Sequence, residues 1–477
     1  MATDARELAA RRVRAVEARS TKFRRELGLV DLVLIQVLYV VGSGWVGTAA
    51  KLGPSHIVFW ILAAALFYLP QAAIVIYLNR QMPLEGGLYQ WVAAGFGERA
   101  GFFVAWNLWA YTILVMATFG VIVATNVSYL LGPGAAWLTG ARWYTAGLGV
   151  AVVCGIMLVS VRGLSAGKWL QNAGGAAQFL TFGALIIVPF VAVRRGALAA
   201  YHPLATAAPS FTLLTLNILG KLALGAFSGF EYVAILAGEC RNPARSIGRS
   251  VVVAVPLIAL MFIFGTSSVL ALVPAHDIDL VSPIPQALTL GFRGLGVAAY
   301  VVPALILLLL VRQVGSMTYI FAGNTRLPMV AGWDGLLPAW FTRLHPRFRT
   351  PTNSILFVGV ITAALTAAAN AGVGVQEAFQ LLDNAAGIFY AFAYLAMFAL
   401  PLAAARRLAE PPPRWLRVAA VAGFGMTLLY TVLAIFPIVD VASWWVFGGK
   451  IVAVLVAANL IGAAVYVAGR RRALVAA

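Results

Sequence analysis

The feature that most constrains this chain is the recurrence of long apolar runs. Twelve can be marked off, at about 27–52, 56–80, 99–130, 143–161, 166–193, 212–240, 249–273, 294–324, 353–371, 377–405, 415–438 and 443–468. A hydrocarbon crossing takes about 20 mainly apolar residues, so each run is a candidate span, the ninth being the shortest. Inside lipid every backbone N–H and C=O must find an internal partner, which leaves helices or a closed barrel. No run shows the roughly ten-residue polar/apolar alternation of a barrel strand. The expected fold is therefore an all-α polytopic membrane protein with twelve transmembrane helices. With 62% hydrophobic and 10% charged residues, the composition excludes an ordinary water-soluble enzyme, in which about 25% would be charged.

The chain carries 34 Lys and Arg against 16 Asp and Glu, a formal charge of +18. In a soluble protein that surplus suggests nucleic acid. Here it concentrates on the tails and the even-numbered turns, with Arg11, Arg12 and Arg14 before the first run and Arg470, Arg471 and Arg472 after the last. Positive residues favour the cytoplasmic side. Both termini are thus expected in the cytoplasm, in a cell membrane (the inner membrane of a bacterium), with the lipid bilayer and not nucleic acid as the large partner. Residues 1–26 read either as a solvated orientation signal or as a basic amphipathic helix on anionic lipid. The longest connections, about 194–211, 274–293 and 325–352, are too short for a separate domain, so function belongs inside the bundle. Cys154 and Cys240 lie far apart and His56, His202, His276 and His345 are scattered; no disulfide framework, metal site or cofactor is expected. No phosphate-binding loop supports an ATP-driven pump and no nucleophile–base pair supports an enzyme.

Two runs are interrupted. The first contains Gly42-Ser43-Gly44, and the sixth contains Phe227-Ser228-Gly229-Phe230 followed by Glu231. Five spans separate their starts, and an odd repeat length turns the second copy over relative to the first. Paired broken helices in matching positions are the sequence sign of a midplane site in an inverted-repeat transporter. An unwound turn frees N–H groups that attract a carboxylate and carbonyls that attract an ammonium or a cation. Close helix packing through small residues is the alternative.

At these residues the sequence resembles the amino acid, polyamine and organocation (APC) transporter superfamily. The resemblance runs from about Gly28 to Arg407. It rests on Gly42 to Gly44; on Glu85 to Trp91 with Gly95-Phe96-Gly97; on Phe227 to Glu231 with Glu239, Asn242, Pro243, Arg245 and Arg249; and on Asn324-Thr325-Arg326 with Asp334 to Pro338, His345 to Phe348 and Thr350-Pro351. It implies two inverted five-helix repeats, 27–193 and 212–405, with discontinuous helices 1 and 6. Peripheral helices 11 and 12 occupy 415–468, and cytoplasmic tails 1–26 and 469–477. The implied function is a secondary transporter, permease or exchanger, that moves amino acids or related amines by alternating access. A nutrient sensor binding the same ligands without turnover is the alternative. By resemblance the substrate carboxylate meets Gly42, Ser43 and Gly44, and its amino group meets Phe227, Ser228 and Ala226, with Gly229 and Phe230 completing that break. Tyr39, Val40 and Ile320 fall at side-chain-facing pocket positions, and Glu231 at a gating or sensing acid. Where several relatives place a lysine in span 5 instead of a sodium ion, this chain has Gln178, which cannot carry a proton. The coupling ion, proton or sodium, thus stays open beside exchange and uniport, as does the oligomeric state.

Ionisable groups at bilayer depth cost about 2.5–3.5 kcal/mol on insertion scales, which makes each a functional suspect. Lys221, Glu231, Arg312 and Asp383 stand out. Arg312 can grip a carboxylate by two points or neutralise Glu231 or Asp383; pointing into the cavity, it suits an acidic substrate. Lys221 either faces the outer mouth or snorkels to the interface. Asp383 and Asn384 line the cavity or cap a helix distortion. Glu239, Asn242, Arg245 and Arg249 form either an inner-gate network with Arg326 or Asp334, or a solvated turn.

Overall fold

The computed structural model describes residues 27–82, 86–235, 237, 240–333, 335–369, 375–408 and 410–476. The expectations for residues 1–26 and for Glu85, Glu239 and Asp334 lie outside them. Among the described residues the protein is all-helical, with no strand beyond one isolated bridge between Leu27 and Cys240. Among the described residues nine helices are long and apolar enough to cross a membrane, or ten if the bent pair Leu29–Val40 and Ser43–Ala50, inclined at 44°, counts as one. Two shorter apolar helices, Leu213–Ala226 and Thr352–Ala367, accompany them. These helices make it a membrane protein.

The long helices meet through small residues, which let backbones approach closely. Gly174 on the Leu164–Arg194 helix faces Gly315 on the Ala298–Asn324 helix. A Cβ on Gly174 would stand 3.3 Å from Gly315 Cα and 3.2 Å from Leu38 Cδ1. About one helical turn beyond this contact, at Gln178 and Arg312, both helices project polar side chains onto the end of Leu29–Val40. The glycine contact therefore sets the position of two polar groups inside the bundle.

Two of the expected connections are partly helical. Residues 274–293 include the helix Pro283–Gly291, whose Ile284, Ala287, Leu288 and Gly291 are buried. Proline at the first helical position gives up an N–H that has no intrahelical partner anyway. The helix packs on Ser43–Ala50, where a Cβ on Gly47 would lie 2.8 Å from Pro283 Cβ. Residues 325–352 include Arg326–Trp333. Both segments are too short for their periodicity to stand out in sequence.

One end of the bundle is tied by specific bonds. Arg241 N donates to Leu27 O at 3.1 Å, Gln36 Nε2 to Ser250 Oγ at 2.5 Å, and Asn79 Nδ2 to Pro243 O at 3.2 Å. Gly97, at φ 97°, makes the sharp corner between Leu88–Phe96 and Glu98–Leu131 in a conformation that favours glycine.

Candidate functional site

The helix Leu29–Val40 stops because Val41 and Gly42 leave helical geometry, with Gly42 extended at φ −74° and ψ 136°, before Ser43 starts the next helix. The first-turn amides of Ser43 and Gly44 have no intrahelical acceptor, and no side chain caps them. The opposing carbonyl, Val41 O, is held from two sides, by Gln178 Nε2 at 3.0 Å and by Arg312 Nη1 at 3.2 Å. Arg312 also reaches Ser43 Oγ at 3.4 Å and bonds Gln313 Oε1, while its Nε has no partner. Among the described residues no carboxylate lies within ion-pair distance of this guanidinium, which is 3% exposed. Guanidinium does not titrate in proteins, so this buried side chain carries a permanent charge.

A cavity opens beside this break. It holds about 110 Å³ for the centres of water-sized spheres, several times the roughly 10–15 Å³ that one water needs by the same measure. Ser43 and Ser228 share its wall, so both interrupted segments face one space. Among the described residues Arg312, Lys221 and Asp383 are its charged lining. Lys221 does not snorkel: it is 1% exposed, bonds Asn384 Oδ1 and lies 3.9 Å from Asp383 Oδ2. It belongs to a π-helical turn, Lys221–Ala226, immediately before the second interruption; such widened turns recur at functional sites.

The second interruption is built differently. Phe227 leaves the helix and Gly229 adopts φ 131°, where a Cβ would run into the Tyr39 ring. Several of its backbone groups already have partners from other helices. Gly229 N donates to Tyr394 Oη at 2.9 Å. With the Gln71 amide turned so that donors meet acceptors, Oε1 lies 3.1 Å from Gly229 N and 3.3 Å from Phe230 N, and Nε2 lies 2.8 Å from Phe227 O. Tyr68 stacks on both Phe227 and Phe230, with ring centroids 4.2 Å and 5.1 Å apart. Glu231 is wholly buried here and accepts from the hydroxyls of Tyr390 and Tyr394. It does not line the cavity, although Tyr390 does, and Tyr39 bridges Tyr390 at 3.4 Å and Tyr111 at 3.1 Å.

Of the residues singled out by sequence, Tyr39, Gly42, Ser43, Gly44, Ser228 and Ile320 line the cavity. Val40, Ala226, Phe227, Gly229 and Phe230 lie behind that wall and are buried. Arg312 and Asp383 reach the cavity; Gln178 and Glu231 stand one layer back. Arg312 neutralises neither Glu231 nor Asp383. Sequence reading passed over Gln71 and Tyr394, which close the second interruption. The only available signal was a polar residue within an apolar run at Gln71; a tyrosine among many aromatics gave none.

Comparison with known proteins gives a consistent result. A family model described as amino acid permease matches residues 27–459. An uncharacterized transporter of Legionella pneumophila is 25% identical over 377 residues, covering 79% of this chain and 80% of its own length. A probable agmatine/putrescine antiporter of Lactococcus lactis is 22% identical over 345 residues, covering 71% of each chain. The human b(0,+)-type amino acid transporter 1 is 22% identical over 439 residues, covering 91% of this chain and 86% of its own. Among solved structures, MhsT in complex with L-phenylalanine superposes with a TM-score of 0.61 at 13% identity, over 86% of this chain and 99% of that one; this likeness bears on fold alone.

Proposed function

We propose, from the premise that this chain belongs to the amino acid permease family, that it is a secondary transporter moving amino acids or related amines by alternating access. The observation that carries the reading is a single cavity walled by both Ser43 and Ser228 with a buried, acid-free Arg312 at its edge. Counting the bent pair and the two shorter apolar helices as spans gives twelve. They divide into inverted repeats at 27–193 and 212–405, with 415–468 peripheral and helices 1 and 6 discontinuous. The surplus of Lys and Arg on one side supports cytoplasmic termini, the 1–26 and 469–477 tails, in a bacterial cell membrane.

In this reading the substrate carboxylate meets the amides of Ser43 and Gly44 and the nearby guanidinium, and the ammonium meets the Ser228 side of the cavity. Tyr39, Ile320 and Asp383 line its path, while Val40, Ala226, Phe227, Gly229 and Phe230 hold the wall in shape. Glu231, behind Tyr390, gates the passage between the two faces. Val41 O, the carbonyl end that attracts a cation, is already held by Arg312 and Gln178. Transport therefore proceeds without sodium, and exchange across the membrane fits a site with a fixed internal cation. Uptake of labelled amino acids into liposomes preloaded with unlabelled ones tests this. Saturable exchange, equal in sodium and choline buffers, is expected. Ligand binding with no uptake would make the protein a sensor, and sodium-dependent uptake would return the Val41 carbonyl to a coupling ion.

A further inference from the structure

The charges on the cavity wall do not sum to zero. Among the described residues its charged lining is two cations and one acid: Arg312, Lys221 and Asp383. Lys221 and Asp383 offset each other at 3.9 Å, and Asn384 accepts a further bond from the lysine. Among the described residues Arg312 has only neutral acceptors, namely Val41 O, Ser43 Oγ and Gln313 Oε1, and its Nε is unbonded. Glu231 is not part of the wall and is engaged by Tyr390 and Tyr394. A buried cation without an anion is unfavourable by several kcal/mol, and the imbalance is relieved when an anion enters.

Resting on the transporter reading above, we propose that the substrate is a dicarboxylic amino acid, of the aspartate or glutamate type. Its two carboxylates and one ammonium are the inverse of the two cations and one carboxylate in the wall. A zwitterion leaves the surplus on Arg312 unchanged. A diamine or a cationic amino acid adds to it. Only a solute with net charge −1 cancels it. Arg312 takes one carboxylate through its fork, Lys221 turns part of its bonding from Asp383 to the other, and Asp383 receives the ammonium.

Exchange in liposomes separates the possibilities because glutamate and glutamine differ in charge and hardly in shape. Labelled L-glutamate, L-glutamine, L-leucine, L-arginine and agmatine are compared on the wild-type protein. Glutamate is expected to exceed glutamine roughly 10- to 100-fold in kcat/KM, the range of a hydrogen bond to a charged group. Arg312→Gln should remove that preference, and Arg312→Lys, which keeps the charge and loses the fork, should retain part of it. Thermal shift with glutamate and with glutamine compares their binding for any variant too weak to transport. Preference for glutamine, leucine, arginine or agmatine in the wild-type protein overturns the inference and leaves the transporter reading standing. No uptake of any of the five, with the protein folded and inserted, overturns both.

Discussion

The two interrupted helices look alike in sequence and are used in opposite ways. At Gly42 the backbone is left open: the amides of Ser43 and Gly44 have no intrahelical acceptor, and Val41 O is held by side chains from two other helices. At Gly229 the backbone is closed: Tyr394 and Gln71 take its polar groups and Tyr68 covers it. One turn faces the cavity with three of its residues, Gly42, Ser43 and Gly44, the other with Ser228. In the proposed inverted repeat the two turns are equivalent weak points, and the side chains around them decide which is left open and which is braced.

Breaking the braced turn should have the largest effect. Gly229→Val places a branched side chain at φ 131° and against the Tyr39 ring, with backbone strain alone of about 1–3 kcal/mol. Loss of folded protein on size-exclusion chromatography is expected, together with loss of uptake; a folded, active variant would show that the second turn is not rigid. Gly44→Leu should separate function from stability, because a Cβ there meets only Leu280 O, at 3.4 Å, and the rest of the side chain enters the cavity. Uptake should fall about 100-fold, as expected for a displaced substrate, with an unchanged melting temperature. Gln71→Leu leaves amides of the second turn and Phe227 O short of partners, and should lower stability by about 1–3 kcal/mol, measured by thermal unfolding in detergent. The smallest change is expected for Gln178→Met. It removes one of two donors to Val41 O and should cost about 1 kcal/mol, with uptake near normal and still indifferent to sodium; acquired sodium dependence would show that Gln178 had filled an ion site.

Run length and hydropathy make the helical class legible, because lipid permits few solutions for a backbone. Gly42 and Gly229 were also legible as weak points, since small residues inside an apolar run are visible without any tertiary knowledge. Which of them is open was not legible, because that depends on Arg312, Gln178, Gln71 and Tyr394, which lie far away in sequence. Lys221 illustrates the same limit. Its type left the outer mouth and snorkelling both open, and the neighbours that draw it inward, Asp383 and Asn384, are more than 160 residues away. The short Pro283–Gly291 helix, which packs on the Ser43–Ala50 helix, escaped because nine residues carry little periodicity.

The most direct test of the shared cavity is substrate protection of Ser43→Cys and Ser228→Cys, each in a background with Cys154 and Cys240 replaced by alanine. Both thiols are expected to react with a water-soluble methanethiosulfonate reagent, and both to be shielded by the amino acid whose uptake the protein supports. Reaction at either position that proceeds at the same rate with and without that amino acid would contradict a single solute held between the two turns.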